Sequence, residues 1–282
     1  MNRIEANTGL RCLRASQRIM QSVVAHLQAQ QSGLFMGLLS DSDFQTYDTY
    51  PFDDARPADI REHALSGLEL WEREVLVEQF GNVNRLLLVA AGGCREMIPL
   101  CDAGYDVSAV DYSLEYVRRS NELLGAEGYA ARIELAERFA LPSPETPFEG
   151  AVIARKFYSY IHDRHVRMAF LRQLRRRLQP GAPVLIAYFI RQRDTAGFVV
   201  QAAVANLLRR IRGVRQYVEV GDHLDPEGPV YHHHFSQAEL RSELEASGFR
   251  LEFHEQSWFG YAVARAMGGM GQQTSHEMAG AV

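Results

Sequence analysis

The spacing of hydrophobic positions changes several times along the chain, and each change predicts an element. Between residues 10 and 30, Leu10, Leu13, Ile19, Val23, Val24 and Leu27 fall on one stripe at helical spacing. From Ser32 to Pro57 the signals are those of a loop, with Gly33, Gly37, an Asp-rich run and Pro51; Phe44, Tyr47, Tyr50 and Phe52 sit inside it. Ile60, Ala64, Leu68, Trp71, Val75 and Leu76 predict a second helix over 58–80, ending near Gly81. Short, continuous apolar runs then alternate with amphipathic stretches. Strands are expected at 86–90, 107–110, 133–135, 151–154 and 184–190, and helices at 97–103, 114–124 and 166–178. Uninterrupted apolar runs suit strands of a parallel sheet buried on both faces, and βαβ alternation places helices on both faces.

Residues 191–235 break this rhythm with an apolar, arginine-bearing helix at about 198–211 and a polar loop containing Gly221, Pro226, Gly228 and Pro229. Regularity returns at Ser236-Gln237-Ala238-Glu239, a capping box, in a helix that ends at Gly248. Strands at 250–254 and 258–264 complete a doubly wound, mostly parallel, seven-stranded α/β sheet. The expected organisation is a helical N-terminal cap over 1–80, a sheet domain over 81–266 with a lid insertion at 191–235, and a tail at 267–282. That tail is rich in Gly, Gln, Ser and Met without periodicity, a composition expected to be disordered.

Composition narrows the classes of function. The chain has 282 residues and a net charge of −5, which gives no reason to expect nucleic acid or an anionic membrane as a partner. No apolar run reaches the roughly 20 residues of a membrane span, and arginines from Arg3 to Arg18 interrupt the N-terminus as no signal peptide would. Cys12, Cys94 and Cys101 are odd in number and lack metal-ligand spacing, which fits a reduced, cytoplasmic compartment.

Chemistry concentrates between Arg85 and Ser113. The run Leu86-Leu-Leu-Val-Ala90-Ala91-Gly92-Gly93-Cys94-Arg95-Glu96 places small residues where a strand turns into a helix, so that backbone can touch a ligand. Asp111 then closes the second strand 19 positions after Gly92, near the roughly 20 of a nucleotide-binding βαβ unit, where a carboxylate accepts ribose hydroxyls.

These features resemble the class I S-adenosylmethionine-dependent methyltransferases. Their Gly-x-Gly-x-Gly motif matches Ala90 to Cys94, with Gly92 on the central glycine. The resemblance continues through Phe148-Glu149-Gly150 as the opening of strand four, Leu178-Gln179-Pro180-Gly181 before strand five, and Ala246-Ser247-Gly248-Phe249 late in the chain. It implies a Rossmann-like methyltransferase sheet and S-adenosylmethionine as cofactor, with S-adenosylhomocysteine as product. It further implies that Ala90, Ala91, Gly92 and Gly93 line the methionine part, that Asp111 binds ribose, and that Tyr112 packs on adenine. Glu137 inherits contact with the adenine amino group, and Arg138 and Arg155 stand with it as cofactor-side residues. Three positions depart from the pattern: Ala90 and Cys94 replace glycines, and Leu88 replaces an acid. Glu96 is the candidate substitute for that acid, as partner of the cofactor's ammonium; a favourable charge at a helix N-terminus is an equally open reading.

The acceptor is expected to be a small molecule presenting an O, N or C nucleophile, as in biosynthetic methyl transfer. After strand four, His162 is a candidate general base, and Asp163 reads as a helix N-cap. Tyr47, Tyr50, Tyr158 and His232 are candidate substrate contacts. Although His232, His233 and His234 are consecutive, no metal site is expected, because neighbours in an extended chain point to opposite faces. Arg209, Arg210, Arg212 and Arg215 fit either attraction of an anionic acceptor or a homodimer interface. A catalytically silent cofactor-fold protein is the alternative from another class.

Overall fold

The computed structural model describes residues 8–40, 42–43, 57–154, 156–191, 195–224 and 230–268. In chain order the helices are α1 (Thr8–Leu38), α2 (Pro57–Ser66), α3 (Leu70–Gln79), α4 (Met97–Asp102), α5 (Leu114–Ala126), α6 (Phe157–Tyr160), α7 (Arg164–Arg177), α8 (Thr195–Ile211) and α9 (Gln237–Ala246). The strands are β1 (Arg85–Val89), β2 (Asp106–Asp111), β3 (Ile133–Leu135), β4 (Gly150–Ile153), β5 (Pro183–Ile190), β6 (Asp222–Leu224), β7 (Tyr231–Phe235), β8 (Phe249–Gln256) and β9 (Gly260–Ala266). The chain divides into two compact units, one made of 1–47 with 191–234 and the other of 48–190 with 235–282. The two helices of 57–79 therefore belong with the sheet, and the N-terminal helix with the insertion.

In the larger unit, seven strands run in the order β3-β2-β1-β4-β5-β9-β8, as expected. The first five are parallel, and β9 enters antiparallel to both β5 and β8. Period-two alternation sorts the apolar side chains into two layers. Leu87, Val89, Ile153 and Ile186 pack with Phe170, Leu174 and Leu244 on one face. Leu86, Leu88, Val152 and Leu185 pack with Leu76, Met97, Val117 and Leu124 on the other. The predicted single helix over 58–80 is two helices, parted where Gly67 takes a φ of +62°. On the first face a buried ion pair joins Arg167 of α7 to Glu243 of α9 (Nη2 to Oε1, 2.8 Å), and Tyr158 donates its hydroxyl to the same carboxylate at 2.5 Å.

The smaller unit packs α1 along α8. Gly33 and Gly37, expected to break the first helix, lie inside it. A Cβ on Gly33 would come within 2.6 Å of the Gln201 carbonyl, and one on Gly37 within 2.8 Å of Leu208 Cβ. The glycines allow close helix approach here instead of signalling a turn. Met36, Leu39, Ala205, Val218, Leu224 and Tyr231 form the core of this unit. Two of the arginines proposed to attract an acceptor are used structurally: Arg209 donates to the carbonyl of Leu39, and Arg212 to those of Gly37 and Leu38. They satisfy carbonyls at the C-terminal end of α1. The polar loop expected after α8 contains β6 and β7, which pair antiparallel with His223 opposite His232 and Asp222 opposite His233. Among the described residues no helix is long and apolar enough to cross a membrane.

Candidate cofactor site

Strand order reverses around β1, with β2 on one side and β4 on the other, and ligands of open α/β sheets bind at the carboxyl ends of strands at such a point. A cleft of about 210 Å³ opens there. Ala90, Ala91, Gly92 and Gly93 line it after β1, Asp111 and Tyr112 at the end of β2, and Ala154, Phe157 and Tyr160 after β4. Glu96, Tyr116 and His63 complete the wall.

The backbone of the loop explains its composition. Gly92 has a φ of +43°, and Ala90 and Cys94 also take left-handed values, +59° and +66°. The two positions that depart from glycine thus keep glycine's conformation, at a strain of roughly 1–2 kcal/mol each for an L-residue. Cys94 is fully buried and its thiol, pushed up to about 11 by burial, donates to the Ser120 carbonyl at 3.7 Å. Gly93 is required for a different reason: a Cβ there would meet the His63 ring at 2.8 Å.

Asp111 is locked into this loop. Its Oδ2 accepts the Gly92 N–H and its Oδ1 the Ser113 N–H, both at 2.9 Å. Each carboxylate oxygen has two lone pairs, so the two bonds leave acceptor capacity for two hydroxyls. Burial raises the Asp111 pKa, and the amides of Ser113, Gly92 and Tyr112 oppose that rise. Ser113 caps α5 through the Tyr116 N–H. Tyr116 then lies in the first turn, where helical side chains lean back toward the N-terminus and so toward the cleft.

At the other end of the cleft, charge is concentrated in a buried cluster. Arg95 is fully buried and donates to Glu72 through both terminal nitrogens, Nη1 to Oε2 at 2.7 Å and Nη2 to Oε1 at 2.5 Å. It also donates from Nη1 to the Gly67 carbonyl at 3.0 Å and from Nη2 to Glu96 Oε1. Burial disfavours the Arg95 charge, but Glu72 and Glu96 more than offset it and raise its pKa. Glu96 itself is pushed above its ordinary value by burial, with Arg95 pulling down and Glu72 pushing up. Although Glu96 stands at the N-cap of α4, its side chain makes no capping bond there. Its position on the cleft wall beside Arg95 favours the ligand-facing reading over the helix-terminus reading.

The remaining assignments from sequence divide clearly. Glu137 borders a narrow extension of the cleft, of about 10 Å³, with Tyr112, Phe139, Phe157 and Phe170. Arg138 lies on an outer groove with Val166 and Gln173, its guanidinium 4.7 Å from the Phe139 ring. Tyr158 is corrected from a substrate contact to a core residue: its ring stacks on Phe235 and its hydroxyl is bound to Glu243. His162 is buried outside the lining of the cleft, so the general-base assignment has no geometric support, while Tyr160 of the same segment does line it. Asp163 caps α7 as expected, accepting the His165 N–H at 2.6 Å. His232 sits on β7 in the smaller unit, where burial and the neighbouring His234 and His223 push its pKa down to about 3. Tyr47, Tyr50 and Arg155 lie outside the described residues. Sequence reasoning missed His63, Glu72, Tyr116 and Tyr160.

No family model and no curated protein matches the chain. Solved structures do. A SAM-dependent methyltransferase from Methanosarcina mazei matches with a TM-score of 0.55 at 18% identity, over 71% of this chain and 99% of that one. The CcbJ methyltransferase from Streptomyces caelestis gives 0.53 at 16%, over 79% and 97%. The sugar N-methyltransferase KedS8 from Streptoalloteichus sp gives 0.50 at 16%, over 76% and 90%. The fold is therefore that of the class I S-adenosylmethionine-dependent methyltransferases.

Proposed function

We propose that this protein transfers a methyl group from S-adenosylmethionine to an O, N or C nucleophile of a small-molecule acceptor in a biosynthetic pathway. The observation that carries this reading is the Asp111 carboxylate, bonded to the Gly92 amide at the reversal point of the sheet. That carboxylate fits a ribose diol, and the left-handed loop from Ala90 to Cys94 keeps Cβ atoms away from a ligand lying on its backbone. Tyr112 and Phe157 offer aromatic faces for a base, and Glu96 an anion for the ammonium of an amino-acid moiety. When bound, S-adenosylmethionine supplies an electrophilic sulfonium methyl and leaves as S-adenosylhomocysteine. The chain's contribution is to hold and orient; such catalysis derives mainly from proximity, which matches a cleft with no buried base aimed into it among the described residues.

Calorimetric titration with S-adenosylmethionine and S-adenosylhomocysteine tests the reading. Binding at micromolar levels is expected, followed by label transfer into a metabolite extract. Absence of binding defeats the proposal. Binding without any transfer favours a catalytically silent cofactor-fold protein.

A further inference from the structure

Three histidines of the smaller unit share one side of the β6–β7 pair. His232 and His234 are two residues apart on β7 and so point the same way, and His223 stands directly opposite His232 on β6. Their ring centroids are 5.0 Å (His223 to His232), 4.8 Å (His232 to His234) and 5.7 Å (His223 to His234) apart. An imidazole nitrogen sits about 2.0–2.1 Å from a zinc-class ion, which puts the ring centroid about 3.2 Å from it; tetrahedral angles then space centroids by about 5.2 Å. The observed triangle has that size. The rings are splayed, with interplanar angles of 43° to 82°, as convergence on a point requires and parallel stacking does not.

The surroundings suit a ligand set. His233, between them in sequence, points to the opposite side, where Asp222 accepts from both its Nδ1 and the Tyr231 hydroxyl at 2.7 Å. That fully buried trio fixes the register that brings the other three together. The His232 ring is hydrogen-bonded to the Val230 backbone, which orients a ligand in the manner of a supporting carbonyl. Phe198 walls the group, 5.1 Å from His234 and 6.3 Å from His223. All three histidines are half-buried, so an ion can reach them.

We propose that His223, His232 and His234 form a three-imidazole site for a borderline divalent cation of the zinc class, with a fourth position open to water or another oxygen ligand. The expectation of no metal site came from the alternation of adjacent residues. That alternation excludes His233 but unites His232 with His234, and strand pairing adds His223. Magnesium and calcium do not fit, because they take oxygen ligands.

The test is titration of the chelator-treated full chain with Zn²⁺ and with Co²⁺, following calorimetry and the visible absorption of tetrahedral cobalt. One ion per chain and a tetrahedral cobalt spectrum are expected. His223→Ala, distant in sequence from the histidine run, should weaken binding by more than the roughly 10–100-fold that a supporting residue is worth. His233→Asn, with folding checked by circular dichroism, should leave affinity within a few-fold. Absence of stoichiometric binding to the unsubstituted chain overturns the proposal. So does equal loss in His223→Ala and His233→Asn, or loss in His233→Asn alone, since either means adventitious capture by the consecutive histidines.

Discussion

The two ends of the cleft are built by different means. At Asp111 the geometry is backbone: two amides at 2.9 Å and a left-handed loop hold one carboxylate. At Glu96 it is side chain: a carboxylate without the strand-one acid beside it is held by Arg95, which is anchored in turn by Glu72 on α3. Leu88, in the place of the missing acid, is fully buried in the helical layer beneath the sheet. The contrast teaches that a backbone-determined contact survives as a fixed spacing. A charge-determined one can be rebuilt from residues elsewhere in the chain.

Substitutions should separate the two ends. The largest effect is expected from Asp111→Ala. Charged hydrogen bonds are worth about 1.5–3 kcal/mol each, so S-adenosylhomocysteine affinity should fall by roughly 100-fold or more in calorimetry. Unchanged affinity removes the ribose assignment. Glu72→Ala should lower unfolding free energy by about 3 kcal/mol, because it strips Arg95 of its bidentate partner inside the protein. A urea midpoint within error of the parent chain contradicts that.

A smaller effect follows from protonation. Glu96 has a raised folded pKa, so its carboxylate is lost on acidification at a higher pH than the ordinary 4.5. It must be ionised to accept an ammonium, and cofactor affinity should therefore fall as pH falls through that raised value; Glu96→Gln should flatten the dependence. Folding stability of the ligand-free chain moves the other way. A raised folded pKa contributes stability below the unfolded value that is lost as pH rises through the folded one. Smallest of all, Ala90→Gly should raise stability by about 0.5–1 kcal/mol, as relief of left-handed strain exceeds the added chain entropy of glycine. A decrease would show that the Ala90 methyl packs more than it strains.

Much of the sheet and the Asp111 end was legible in the sequence, because both are written in short-range rules: continuous apolar runs, glycine before helix, an acid at a set distance. The charged end was not. Glu72 and Arg95 meet through packing across 23 residues with no periodic signature, and His63 is marked only by the absence of a side chain at Gly93. The α1 glycines misled for the same reason, since local propensity reports a break while the packing of α8 requires closeness. β6 and β7 were hidden within turn-forming residues, and with them the register of the histidines.

The account stands most directly on one titration: Glu96→Gln with S-adenosylhomocysteine and with methylthioadenosine, which lacks the amino-acid moiety. The expected result is at least tenfold weaker binding of the first and unchanged binding of the second. Equal weakening of both, or of neither, would contradict a cleft whose two ends recognise separate parts of one cofactor.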